Sequence, residues 1–219
     1  MVDNNSVINQ KLISVERAAS DLRRGGMVLI TDSDQSLLVT SAELIIDQRL
    51  DEFKKVSSSE PLVGLTYNRA NILKISPRSG DVALVKISDY MDSAVIASMA
   101  DPADDLINIM QGPFQVADVM TSNIHCAGIN LCKIAKLLPA AIFSEAPANA
   151  CDWADKNNIL CVSANDILGH TLNEALSLEI ITSAKVPLEG AEEATMIAFR
   201  PADGGTEHFA IIVGDPARD

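Results

Sequence analysis

Four side chains in this sequence stand where chemistry could be done. His125 opens the best helical stretch of the chain. Glu145 stands just past the end of an apolar strand, and Asp32 and Asp34 share the polar turn Thr31-Asp32-Ser33-Asp34-Gln35. Imidazoles and carboxylates are the groups that move protons, and the ends of strands are where α/β sheets hold ligands. Each residue also has a plain structural reading. A histidine near a helix N-terminus can be kept for packing, a glutamate before Pro147 can be a solvated loop residue, and aspartates are common turn residues. The other histidines promise less: His208 at a strand start reads as structural and His170 as an exposed loop residue. Arg23 and Arg24 suit the C-terminal end of a helix dipole.

The elements that must position these groups follow from hydrophobic periodicity. Val15, Ala18, Ala19 and Leu22 lie at helical spacing, so a helix is expected over residues 14–24, with Ser14 as N-cap and Gly25-Gly26 as the stop. Short apolar runs predict strands at 27–30, 37–40, 62–66, 82–87, 140–143 and 159–162. Helices are expected between them at 41–55, 68–73, 93–99, 125–138, 152–157 and 165–176. Gly112-Pro113 marks a turn inside a stretch with no clear period. Alternating helices and strands imply an α/β fold, a layered mixed sheet flanked by helices.

The pattern changes after residue 176. Residues 178–186, 194–200 and 208–213 read as β segments, with Asp203-Gly204-Gly205 as a turn between the last two. A domain boundary is therefore placed at 176/177, and the β piece of about forty residues would be marginal alone.

Charge narrows the partners. The net charge is −13, which repels phosphate backbones and argues against nucleic acid. A phosphorylated ligand would need a local basic pocket. Nothing approaches eighteen consecutive apolar residues, so no membrane span is expected, and the N-terminus lacks the form of a secretory signal. Cys126, Cys132, Cys151 and Cys161 lack zinc spacing; their apolar neighbours suggest buried free thiols in a reducing cytosol.

Several phrases resemble a known family. VERAASDLRRGGMVLITDSDQ, PLVGLTYNRANIL, IHCAGINLCKIAKLLPAAIFSEA and WADKNNILCVSANDIL are similar, in this order, to segments of 3,4-dihydroxy-2-butanone 4-phosphate (DHBP) synthases. Together they span about residues 14–170. The tail AKVPLEGAEEATMIAFRPADGGTEHFAIIVGDP is similar to the first hairpin of GTP cyclohydrolase II, through Glu207-His208 and Gly214-Asp215. Both families belong to riboflavin synthesis, so 1–176 is expected to be a DHBP-synthase-like domain and 177–219 the opening β segments of a cyclohydrolase, as in a fusion protein continuing beyond them.

The resemblance implies a reaction in which ribulose 5-phosphate is rearranged with loss of formate, with Mg²⁺ as Lewis acid and carboxylates moving protons. By position, His125 and Asp32 would hold the metal, and Glu145 and Asp34 would be catalytic. Any zinc would belong to the cyclohydrolase part. The sequence departs from the family elsewhere. The acidic loop is shortened to Asp34-Gln35-Ser36-Leu37, Ser122 stands in place of an arginine, and Cys126-Ala127 replaces Thr-Glu after the histidine. Ser88-Asp89-Tyr90-Met91-Asp92 replaces a phosphate-binding phrase.

Loss of one proton-transfer group costs ~10²–10⁴ in rate, so losing several together implies a degenerate, non-catalytic module that needs no cofactor. Such a module would be a cytoplasmic, homodimeric scaffold or regulator of a fused GTP cyclohydrolase II. Two other readings stay open: an active Mg²⁺-dependent synthase, and a module that senses a sugar phosphate or nucleotide.

Overall fold

The computed structural model describes residues 4–33, 35–76, 80–106, 112–201, 204–214 and 216. The chain divides into two compact units, Ser14–Leu168 and a second made of Met1–Ile13 with Gly169–Asp219.

The larger unit is built on six strands: β1 (Met27–Asp32), β2 (Gln35–Ser41), β3 (Leu62–Thr66), β4 (Val82–Lys86), β5 (Ala140–Glu145) and β6 (Cys161–Ser163). They lie in the order β4-β3-β5-β2-β1-β6. All neighbours are antiparallel except β1 and β6, which are parallel, so the sheet is mixed. Alternate residues of each strand feed opposite cores. On one face Val28, Ile30, Val39 and Phe143 pack with helices α1 (Asn4–Arg23), α5 (Asn123–Ile134) and α7 (Ala164–Leu168). On the other, Leu29, Leu38, Val63 and Ile142 pack with α2 (Asp47–Val56), α3 (Tyr67–Ile72), α4 (Ser93–Ala100) and α6 (Ala150–Lys156). Burial of both faces explains why the strands read as continuous apolar runs.

Several boundaries differ from the sequence expectation. Helix α1 begins at Asn4, so Ser14 is an interior residue and no cap; Leu12, which is buried, extends the apolar stripe by a turn. The helix does stop on glycine. Gly26 N–H donates to Asp21 O (2.9 Å), Gly25 N–H donates to Leu22 O (2.8 Å), and Gly25 takes the left-handed conformation such an ending requires. Helix α2 starts six residues later than its periodicity suggests. The ladder with β5 runs on through Ser41, and Ala42 N–H donates to Ala140 O (3.1 Å), so residues 41–42 belong to the sheet. The helix expected over 165–176 breaks at Gly169 into α7 and α8 (His170–Leu176). That break is the unit boundary, eight residues before the position read from the sequence. His170, read as exposed, is buried at the start of α8.

In the smaller unit β7 (Glu179–Lys185), β8 (Ala194–Arg200) and β9 (His208–Val213) form an antiparallel meander. Phe209, Ile211 and Val213 alternate along β9 and are exposed. In the proposed turn Asp203 lies outside the described residues; Gly204 adopts positive φ.

The cysteines are free, but only Cys132 is buried, its thiol pushed up to about 12 by desolvation. Cys126 and Cys161 are half-buried and Cys151 is exposed, which corrects the expectation of four buried thiols. Among the described residues no helix is long and apolar enough to cross a membrane.

Candidate functional site

A cavity of about 920 Å³ lies on the α5 side of the large sheet, and both His125 and Glu145 line it. Its floor follows from strand register. Lys86 pairs with Leu62 and Leu62 with Phe143, so these three form one row across β4, β3 and β5. Glu145, two residues beyond Phe143, points to the same face and sits beside Leu37 of β2. Glu145 is the last residue of β5 rather than a loop residue, and it is exposed. The serine loop 57–59 is tied to this strand end. Ser59 Oγ accepts from Glu145 N–H (3.0 Å), Ser58 N–H donates to Glu145 O (3.0 Å), and Ser144 Oγ donates to Ser59 O (3.0 Å).

Phe143 is clasped between two glycines. A Cβ on Gly64 would stand 2.3 Å from its ring, and one on Gly128 of α5 would stand 2.4 Å from it. Only glycine lets the helix and neighbouring strand approach this closely. The ring meets His125 at 5.3 Å between centroids, tilted by 58°.

His125 is the third residue of α5, and its ring is used locally. Ser122 N–H donates to Nδ1 at 3.2 Å, and Ser122 Oγ is 3.2 Å from the same nitrogen. This is the reciprocal half of a capping box, with imidazole in the place usually taken by Glu or Gln. Accepting at Nδ1 leaves the neutral ring's proton on Nε2. Burial lowers the His125 pKa below its ordinary 6.5, so the ring is neutral at pH 7.

Asp32 does not join His125 and Glu145 in the described cavity lining. Asp32 ends β1, its carboxylate accepts from Ser33 N–H (2.8 Å), and it is absent from the described cavity lining. This is the turn role of an aspartate. Asp34 lies outside the described residues. Ser88–Asp92 also stands apart from the cavity. Asp92 caps α4 by accepting from Val95 N–H (2.9 Å), and Tyr90 Oη donates to Pro113 O (2.7 Å). Asp92 therefore serves as a helix cap, and neither it nor Asp89 is in the described cavity lining.

Lys86, Glu60 and Asp118 were missed in the sequence. Among the described lining residues Lys86 is the one cation, against Glu60, Asp118 and Glu145. The position of Lys86 at a strand end was the signal available, but its row became visible only with the register.

The described donors do not fit a Mg²⁺ octahedron. No three His, Cys, Asp or Glu among the described residues come together as a metal cluster. To ligate through Nε2, His125 would carry its proton on Nδ1, where it would face the donating Ser122 N–H.

No protein-family profile matches the chain. Over 91% of its length it superposes on RibBX of A. baumannii, a two-domain DHBP synthase, with a TM-score of 0.60 at 16% identity, covering 70% of that chain. A cation-free DHBP synthase gives 0.59 at 16% identity, over 74% of this chain and 98% of that one. The fold is that of the DHBP synthases. Another solved DHBP synthase with the same fold, at a TM-score of 0.56, is a complex with two magnesium ions.

In sequence the chain is 31% identical over 207 residues to GTP cyclohydrolase-2 of Azospirillum brasilense, covering 93% of this chain and 54% of that protein. It is 24% identical over 242 residues to the riboflavin biosynthesis protein RibBA of Phocaeicola vulgatus, covering 94% and 60%. The chain thus spans between half and two thirds of the curated relatives it matches. It carries the DHBP-synthase fold in a sequence related to a GTP cyclohydrolase-2.

Proposed function

We propose that this chain belongs to a riboflavin-pathway protein. Its DHBP-synthase-like unit is a non-catalytic module that scaffolds, by dimerising, or regulates an attached GTP cyclohydrolase II. The observation that carries this reading is the commitment of His125 to the α5 cap. The residue that the family resemblance assigns to the metal is instead neutral, turned to its own helix, and set in a cavity whose described lining carries three acids and one lysine. Such a lining disfavours a sugar phosphate dianion. The exposed apolar stripe Phe209, Ile211 and Val213 of β9 adds support, since such a stripe gains from a further layer.

Incubation of the chain with ribulose 5-phosphate and Mg²⁺, with formate as the readout, tests the reading. No formate above a blank is expected. Turnover would overturn it and favour an active synthase with Glu145 as proton carrier. The scaffold role predicts a dimer by light scattering at micromolar concentration, and a clean monomer would count against it. A second reading, a small-ligand sensor, is favoured by the size of the cavity, which falls within the range of ligand pockets. A thermal-shift screen separates the two, because a ligand at ~100 times its Kd adds ~2.7 kcal/mol.

A further inference from the structure

Two of the four cysteines form a pair that the sequence did not suggest. Cys151 lies in the first turn of α6, and Cys161 opens the edge strand β6. Their sulfurs are 3.1 Å apart, although ten residues separate them in sequence. A disulfide needs ~2.05 Å, so closure asks for a movement of about 1 Å. Cys151 is exposed and Cys161 half-buried beneath it, beside Thr31 and Asp155. Cys132, by contrast, is fully buried, with its thiol donating to Ala140 O (3.5 Å).

We propose that Cys151 and Cys161 are a thiol-oxidation site that exchanges with low-molecular-weight disulfides of the glutathione type, closing to an intramolecular disulfide that clips α6 to β6. The exposed Cys151 thiolate attacks one sulfur of the small disulfide. This forms a mixed disulfide on Cys151 and releases the first small thiol. Cys161 then loses its proton and attacks the Cys151 sulfur. The protein disulfide forms, the second small thiol leaves with a proton, and two protein thiols have been oxidised for one small disulfide reduced. Burial and then the contact with Cys151 push the Cys161 thiol up to about 11, so Cys161 is the resolving thiol and not the first to attack. The clip would act next to the candidate cavity, because Asn149 and Ala150, at the start of α6, line it.

The test uses the whole chain with glutathione disulfide, followed by intact mass, peptide mapping and thiol titration after denaturation. The wild type should lose two of its four titratable thiols and about 2 Da, yield a linked Cys151–Cys161 peptide, and revert with dithiothreitol. Cys161→Ser should stop at a stable glutathione adduct on Cys151. Cys151→Ser should form no intramolecular link. Three results would each overturn the proposal: a persistent adduct on the wild type, a link through Cys126, or four thiols still titratable at a disulfide concentration that modifies Cys151 in Cys161→Ser. Since the assay reads sulfur chemistry, its outcome is independent of any activity of the cavity.

Discussion

Replacement of His125 separates a helix-capping role from a metal-binding one. In His125→Ala the reciprocal cap to Ser122 N–H is lost, at about 1 kcal/mol. The tilted contact with Phe143 also goes, at about 1 kcal/mol, and a small void remains under a side chain that was 5% exposed. A total loss near 2–3 kcal/mol is expected. His125→Gln keeps an acceptor at the third helical position and should restore the cap, leaving a loss of about 1 kcal/mol.

The pH dependence adds a second signature. The folded pKa of His125 lies below its unfolded value, so the unfolded chain binds the extra proton first. Its contribution is complete above pH 6.5 and declines as pH falls from there to the folded pKa. Neither variant should show this component. Urea titrations at pH 7.5 and 5.5 measure it, followed through Trp153, the chain's one tryptophan, which lies in the same compact unit. Equal losses for Ala and Gln would refute the cap. So would a Mg²⁺-induced rise in the wild-type midpoint that both variants lack.

Four further outcomes follow from the packing. Arg69 is buried on α3 and closes the end of α4, donating to Ser98 O, Met99 O and Asp101 O at 3.0, 2.7 and 3.0 Å, and to both oxygens of Asp105. Arg69→Met should cost about 3–5 kcal/mol in a urea titration, because it leaves several carbonyls unsatisfied. The guanidinium holds the Asp105 carboxyl below its usual range. That contribution is present above the unfolded carboxylate pKa and lost as pH falls through the folded one, so an acid titration of wild type and Asp105→Asn should converge only at the acid end. Gly128→Ala should destabilise by about 1–3 kcal/mol despite the better helix former, since Phe143 is held against Gly64 and has nowhere to retreat. Glu145→Gln, at an exposed strand end, should shift the urea midpoint by less than about 0.5 kcal/mol.

The strands and most helices were legible because their signals are local. Apolar runs bounded by turn residues matched β3, β8 and β9 to the residue, and Gly25-Gly26 stopped α1 as glycine should. The α/β layering followed from the alternation of the elements. The starts of α1 and α2 were not legible, because a buried Leu12 and a ladder continuing through Ser41 outweigh local capping and period. The break at Gly169 was missed for the same reason. It follows from the way the chain partitions into two units, whereas apolar spacing runs on across it.

For the site, the sequence by itself pointed to His125 and Glu145 together, through a resemblance carried by a helix and a strand, and both line one cavity. Only the tertiary structure decided what that place contains. Register across three strands brings Lys86 into the row of Phe143, and two glycines let α5 settle on that ring. The close of the helix start turns His125 toward Ser122. The pairing of Cys151 with Cys161 was equally hidden. A helix turn and an edge strand meet there because α6 packs against the face of the sheet that β6 borders, and sequence spacing does not encode that meeting.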